Sequence, residues 1–340
     1  MIYKGDSLLM SSIRIKEIAV HHPENKVSND FYVEHFKNLT GDDHTEFLKD
    51  VLGRDSRYII DNDEENSLTM AVEASKKVLA KSGVNAEDLD MIVFASQVPE
   101  YIFPTNAVML HRELNAGMKA GIMDMNANCS GMTIALDQAS RYMMSNPRMK
   151  KLLLVGSDYS SLIMDPTDSI TYPNFGDVAV ALILERVEEE NAGLIDSIYY
   201  TDSSNYDRVT FPRKGLSKSL KGLDDSKKLQ WLPFDGDVSL PYAYKIIDEL
   251  LERNDVAHKD VDAYCLSQFS ISNIKKMQAQ YALADEQMIY VGGEFGYTGT
   301  TSPLLALYDA VEKGKVKRGD KVLLWTVGVG YNLIAVLYQY

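Results

Sequence analysis

The stretch GMTIALDQASRYMMSNPRMKKLLLVG (131–156) is echoed by SPLLALYDAVEKGKVKRGDKVLLWTVG (302–328). Both read as an amphipathic helix, a basic turn and an apolar strand. Setting Ala135 against Ala306 also brings Leu136 onto Leu307 and Ala139 onto Ala310. Upstream, at nearly the same offset, LDMIVFAS (89–96) is matched by VDAYCLSQ (261–268). Two such echoes in the same order predict an α/β chain duplicated within itself. The limits expected are 1–185 and 186–340, with an irregular insertion or cap over about 201–240, where Ser, Asp and Lys dominate. In the first half the pattern predicts a helix over 106–114, a strand over 120–127, a helix over 130–144 and a strand over 150–158. A duplicated α/β protein places its site where strand ends of the two halves meet. That would bring together Cys129, Ser267 with Gln268, and Tyr297.

Composition narrows the function. The 340 residues are 45% hydrophobic and 25% charged, an ordinary globular balance. No run approaches the roughly 18 to 20 apolar residues of a membrane helix. Residues 1–20 lack the continuous apolar core and cleavage site of a signal peptide, so a cytoplasmic location is expected. Two cysteines argue against a disulfide framework and fit a reducing compartment. Neither belongs to a Cys/His cluster, so no metal site is expected. A net charge of −14 opposes general binding to nucleic acid. Basic patches at Lys150 and Lys151, at 213–221 and at 313–321 read mainly as solvated faces.

The stretch NANCSGM (126–132) sets a cysteine between an apolar run and a helix. A thiolate attacks thioesters, whereas a thiol near its ordinary pKa is mostly protonated at neutral pH. A position at a helix N-terminus is expected to lower that pKa through the dipole and the free N–H groups. Ser130 and Gly131 permit a sharp strand-to-helix elbow. Taken alone, Cys129 is equally readable as a small buried residue.

NCSGM, LLLVGSD, DPTD (165–168), FGD (175–177), GYTGTTSPLLAL and the GVGY turn stand in one order from about residue 12 to the end. Together they resemble β-ketoacyl-ACP synthase III of the thiolase superfamily. The resemblance implies an α/β fold of five layers, α-β-α-β-α, built from two similar halves, and a dimer. It makes Cys129 the acyl-accepting nucleophile. The N–H groups of Cys129 and of the turn at Gly328, Val329 and Gly330 form its oxyanion hole. Each such donor is worth about 100- to 1000-fold in rate. Phe103, in the loop VPEYIFPTN (98–106), would cross to the neighbouring subunit's site. No cofactor is implied; the substrate is an acyl-CoA or acyl-carrier thioester.

Several family positions are changed. The histidine and asparagine that serve malonyl decarboxylation align with Ser267 and Tyr297. No other histidine falls in a matching segment, and Glu100 and Glu294 are the candidates for a carboxylate base. The adenine-stacking tryptophan aligns with Phe47, and two arginines that face coenzyme A align with Val51 and Leu162. The carrier-docking arginine aligns with Ser272, with Lys275 and Lys276 one turn on. These changes make a carrier thioester a better donor than free coenzyme A. Two functions follow. One is an acyltransferase of specialised fatty-acyl or secondary-metabolite synthesis that works without ordinary decarboxylation. The other is a silent subunit paired with an active ketosynthase.

Overall fold

The computed structural model describes residues 12–189, 192–233 and 236–340. Most of the leader question raised by residues 1–20 falls on 1–11, outside the described residues. The first half supplies β1 (Ser12–His21), β2 (Lys26–Ser28), β3 (Ser56–Tyr58), β4 (Met91–Ala95), β5 (Gly121–Met125), β6 (Lys151–Asp158) and β7 (Val178–Val187). The second supplies β8 (Gly193–Thr201), β9 (Val209–Thr210), β10 (Gln230–Trp231), β11 (Ala263–Leu266), β12 (Lys321–Gly328) and β13 (Asn332–Gln339). Nine of these form one ladder in the order β11-β12-β13-β8-β1-β7-β6-β4-β5. β2 with β3, and β9 with β10, form two small ribbons.

The duplication is written in the hydrogen bonds. β4 pairs parallel to β6, β6 antiparallel to β7, and β7 antiparallel to β1. β11, β12, β13 and β8 repeat that order and sense. The two sets meet at one parallel pair, Ile13 opposite Gly193. Gly193 has φ +83°, and a Cβ there would lie 1.8 Å from the Ile13 carbonyl oxygen. Only glycine fits this seam.

The helices are α1 (Asn29–Leu39), α2 (Ser67–Ser82), α3 (Asn106–Glu113), α4 (Gly131–Ser145), α5 (Leu216–Leu220), α6 (Leu240–Arg253), α7 (Ile271–Tyr281), α8 (Gly292–Phe295) and α9 (Ser302–Glu312). Strand alternation sorts the larger ones into layers. Ile92, Phe94, Leu153 and Val155 pack outward on α2 and α3. Val93, Ala95, Leu152 and Leu154 pack inward on α4 and α9, which meet Val322, Leu324, Ile334 and Val336 on their other side. Leu323, Trp325, Leu333 and Ala335 then face α6 and α7. The fold is therefore five-layered, α-β-α-β-α. α4 and α9 lie between two sheets, which explains why Ala135, Leu136, Ala139, Ala306, Leu307 and Ala310 are all buried.

The segment 201–233 carries only short elements and folds over the strand ends as a cap. β5 is an edge strand, with Ile122 38% and Met123 37% exposed. Replacing Gly193→Ala forces a backbone oxygen and a methyl group together at positive φ. A loss of about 2–4 kcal/mol is expected, read as a lower denaturant midpoint. A midpoint equal to wild type would mean the seam does not join the two sheets.

Candidate active site

β6 ends in Asp158, and the carboxylate is fully buried. Its Oδ1 accepts from Ser96 Oγ (2.9 Å), Gln97 N (2.9 Å) and Val98 N (3.3 Å). Its Oδ2 accepts from Gln97 Nε2 and Thr300 N, each at 3.1 Å. One carboxylate thus ties the exit of β4 to the turn before α9. Gly299, beside it, has φ +57°, and a Cβ there would strike Gln97 Nε2 at 2.3 Å.

Two elbows face each other near this knot. A single 3-10 turn at Asn128–Ser130 leads into α4, and its repeat at Gly299–Thr301 leads into α9. The offset that pairs Ala135 with Ala306 pairs Cys129 with Thr300. The elbows interlock, because Thr300 Oγ1 donates to Asn128 O at 3.0 Å. Thr326 Oγ1 donates to Cys129 O at 3.3 Å, and Ser130 Oγ to Asn332 O at 2.8 Å.

Cys129 is 7% exposed and lines a cavity of about 220 Å³ with Gln97, Ser267, Phe269, Tyr297 and Gly330. Its thiol donates to Gln97 Oε1 at 3.6 Å. Asp158 fixes that amide orientation, because Nε2 must face the carboxylate. Burial pushes the Cys129 thiol up to about 11, and the Asp158 charge opposes the thiolate further. The Tyr297 phenol hydrogen-bonds the sulfur and pulls in the other direction. This corrects the expectation from the helix N-terminus: burial is the largest influence on the thiol and raises its pKa. At pH 7 the thiol is therefore held in its protonated form.

Tyr297 is 2% exposed, and burial raises its phenol well above the ordinary value, so it is a neutral donor at pH 7. Its ring lies 5.2 Å from Phe175 and 5.2 Å from Phe269, nearly perpendicular to the latter. The Ser267 hydroxyl approaches the phenol but meets no full hydrogen-bond geometry of its own. The contact is a loose one between neighbours.

A residue outside the sequence reading positions both. Arg54 is fully buried and donates to Asn174 Oδ1 (2.7 Å), Tyr290 Oη (2.8 Å), Gln268 O (2.6 Å) and Phe269 O (2.9 Å). Asn174 O in turn accepts from Tyr297 N at 2.8 Å. Desolvation lowers the Arg54 pKa from the ordinary arginine value, partly offset by Tyr290 and Tyr297. One guanidinium therefore holds the backbone just after Ser267 and, through Asn174, the backbone at Tyr297.

The oxyanion turn follows β12. Gly330 (φ +76°) and Tyr331 (φ +52°) take the left-handed conformations, whereas Val329 does not, so valine is tolerated there. Among the described residues, the N–H groups of Cys129 and Gly330 join no neighbouring backbone ladder. Val329 and Gly330 line the same cavity as the thiol.

Other expected residues lie elsewhere. Phe47 is half-buried beside Tyr32, Leu48 and Leu52 and does not line the cavity. The local turn over residues 47–51 directs it to that cluster. Glu294 is an exposed partner of Lys26 (2.8 Å) and Tyr58 (3.2 Å), so it is removed as a base. Glu100 is exposed and absent from this chain's cavity wall. Phe103 is 85% exposed, away from Cys129 of the same chain. Val51 and Leu162 are exposed. The wall of the cavity holds no histidine or carboxylate, and Arg208 is its one cation among the described residues. Among those residues no group of three or more His, Cys, Asp or Glu could hold a metal ion. No described helix is long and apolar enough to cross a membrane.

A duplicated five-layer fold with a cysteine elbow opposite a glycine turn defines a thiolase-type architecture. Family models agree. The pattern for 3-oxoacyl-[acyl-carrier-protein (ACP)] synthase III matches residues 123–203, and its C-terminal pattern matches 251–340. A β-ketoacyl-[acyl-carrier-protein] synthase III of Coxiella burnetii is 30% identical over 334 residues, 97% of this chain and 100% of that one. The 3-oxoacyl-[acyl-carrier-protein] synthase III of Aquifex aeolicus superposes with a TM-score of 0.84 at 24% identity, covering 96% of this chain and 100% of that one. The priming β-ketosynthase of the R1128 polyketide pathway superposes at 0.83 and 21%, covering 96% of each. The chain belongs to the β-ketoacyl-[acyl-carrier-protein] synthase III family, whose chemistry is acyl transfer and condensation.

Tyr297→Phe keeps the ring and removes the hydrogen bond to the sulfur. Alkylation of Cys129 by iodoacetamide at pH 8 is expected to slow about 10-fold, with an unchanged melting temperature. An unchanged rate would mean that the phenol does not stabilise the thiolate.

Proposed function

We propose that this chain is an acyltransferase that accepts an acyl group on Cys129 from an acyl-carrier or acyl-CoA thioester and passes it on without ordinary malonyl decarboxylation. The observation that carries this reading is the elbow thiol facing the Gly328-to-Gly330 turn in a cavity whose nearest hydroxyl is the neutral Tyr297 phenol. In the acylation step the Cys129 sulfur forms a bond to the thioester carbonyl carbon. The carbonyl oxygen takes up negative charge opposite the N–H groups of Cys129 and Gly330. The attacking species is the thiolate, its proton having gone to solvent, with the Tyr297 phenol hydrogen-bonded to the sulfur. As the bond to the leaving sulfur breaks, the leaving thiolate takes up a proton from solvent. Thioester exchange conserves the high-energy bond, so it is the step least damaged by loss of a histidine. Decarboxylation needs general acid–base help worth about 100- to 10,000-fold. It also needs an enolate donor worth about 100- to 1000-fold. Ser267 and Tyr297 supply no group that changes protonation near pH 7.

The apolar residues on the β5 side support assembly as a dimer. Tyr101 (45%), Ile102 (69%), Phe103 (85%) and Met118 (fully exposed) stand beside an unpaired strand edge. The second subunit is a copy of this chain or a related ketosynthase, and Phe103 is the residue offered to its site. A thiol pushed up to about 11 favours a second reading, a silent subunit that shapes the site of an active partner.

Intact-protein mass measurement after mixing with acyl-CoA and acyl-carrier donors separates the two. An acyl adduct on wild type, absent in Cys129→Ala, is expected. Its rate of formation should rise nearly 10-fold per pH unit between 7 and 9, because the thiol pKa lies above that window. No adduct from any donor, beside acylation of a ketosynthase partner, would establish the silent role.

A further inference from the structure

The cap holds a surface that the family pattern does not account for. Residues 208–228 contain seven basic side chains (Arg208, Arg213, Lys214, Lys218, Lys221, Lys227, Lys228) and two acidic ones (Asp224, Asp225). The difference, seven minus two, is +5 on a chain of net charge −14. Lys218, Lys221 and Lys227 make no ion pair or side-chain hydrogen bond among the described residues. Arg213 reaches Asp165 only at 3.9 Å, and Lys228 is occupied by Leu162 O at 2.9 Å.

The same segment exposes large apolar side chains. Leu220 is 79% exposed, Leu223 63% and Leu216 45%. They alternate with the lysines on and just after α5, whose five residues bury none of their side chains. Exposed leucines set among unpaired lysines are an amphipathic face without a partner. Such a face costs solubility in a lone molecule and gains binding energy when an acidic, partly apolar surface covers it.

Position decides what would cover it. Val209, Phe211, Leu229 and Trp231 of the cap line the cavity that ends at Cys129. Arg213 and Lys214 line a second cleft that reaches Val329 and Gly330. The charged, apolar face is therefore the outer side of the wall around the thiol.

We propose that the face formed by Leu216, Leu220, Leu223, Lys218, Lys221 and Lys227 is the docking surface for an acidic, helical carrier domain that brings the thioester to Cys129. The proposal rests on the reading of Cys129 as the acyl acceptor. It replaces the 272–276 segment as the main docking point. There Ser272 carries no charge and Lys276 is already paired with Asp237 at 2.5 Å, leaving Lys275 alone. A lysine-rich face attracts an acidic domain over about a Debye length, and exposed leucines then hold it against dissociation.

The test uses an octanoyl-loaded type II acyl carrier protein and, separately, the octanoyl thioester of N-acetylcysteamine, which needs no docking. The variant Lys218→Glu/Leu220→Ser/Lys221→Glu is expected to weaken carrier binding at least 10-fold by calorimetry. It should slow acylation from the carrier by a similar factor and leave acylation from the small thioester unchanged. Because none of these three residues lines the cavity, the melting temperature should also hold. In case the triple variant folds poorly, hydrogen exchange on wild type provides a second reading: carrier addition should protect 208–228. Carrier binding that survives the cap variant but is lost in Lys275→Glu/Lys276→Glu would overturn the proposal. Cap-dependent sedimentation with phosphatidylglycerol vesicles, with carrier binding unaffected, would overturn it in favour of a membrane surface. If neither thioester acylates Cys129, the acyl-acceptor reading fails, while calorimetry and exchange still decide the docking surface.

Discussion

The Asp158 carboxylate is the point on which the rest of the site depends. It is buried, yet both its oxygens are occupied by neutral donors from two segments of the chain, 96–98 and Thr300. Removing a buried acceptor of this kind strands several donors at once, each costing about 1–3 kcal/mol. Through Thr300 N it sets the height of the second elbow, and through Gln97 it sets the amide that faces the thiol. Order at Cys129 is thus inherited from a residue that never touches substrate.

The duplication explains why the site has two elbows, only one of which carries a thiol. Cys129 and Thr300 occupy equivalent places, but Thr300 is spent on Asn128 O and on Asp158. Tyr297 fills the space between Phe175 and Phe269 with an aromatic ring, and Arg54 holds the backbone around it. At the positions that align with the family's histidine and asparagine, the site holds a hydroxyl and a neutral phenol. Its polarity suits a neutral thiol and a neutral thioester.

The fold was legible because alternation and helix periodicity are local signals. The echo of 131–156 in 302–328 became the same strand pairing in each half, and the elbow at NCSGM stands where the motif put it. Asp158, Gln97 and Arg54 escaped because their roles depend on partners far away in the chain, 61 residues for Gln97 with Asp158 and 214 for Arg54 with Gln268. Phe47 packs beside Tyr32, Leu48 and Leu52, neighbours that its position in a motif does not report. The direction of the thiol's pKa failed on burial. Spacing locates a helix N-terminus, but it does not report how much water remains there.

The most direct test of a buried, neutral nucleophile is its own ionisation. Thiolate absorbance near 240 nm can be followed against pH for wild type, with Cys129→Ala as the subtraction. Cys265, fully buried and pushed higher still, stays silent through the range. The account predicts a midpoint near 11 for Cys129. A midpoint at or below about 8, under the ordinary cysteine value, would contradict it and mean that a charge or proton acceptor in the assembled protein activates the thiol.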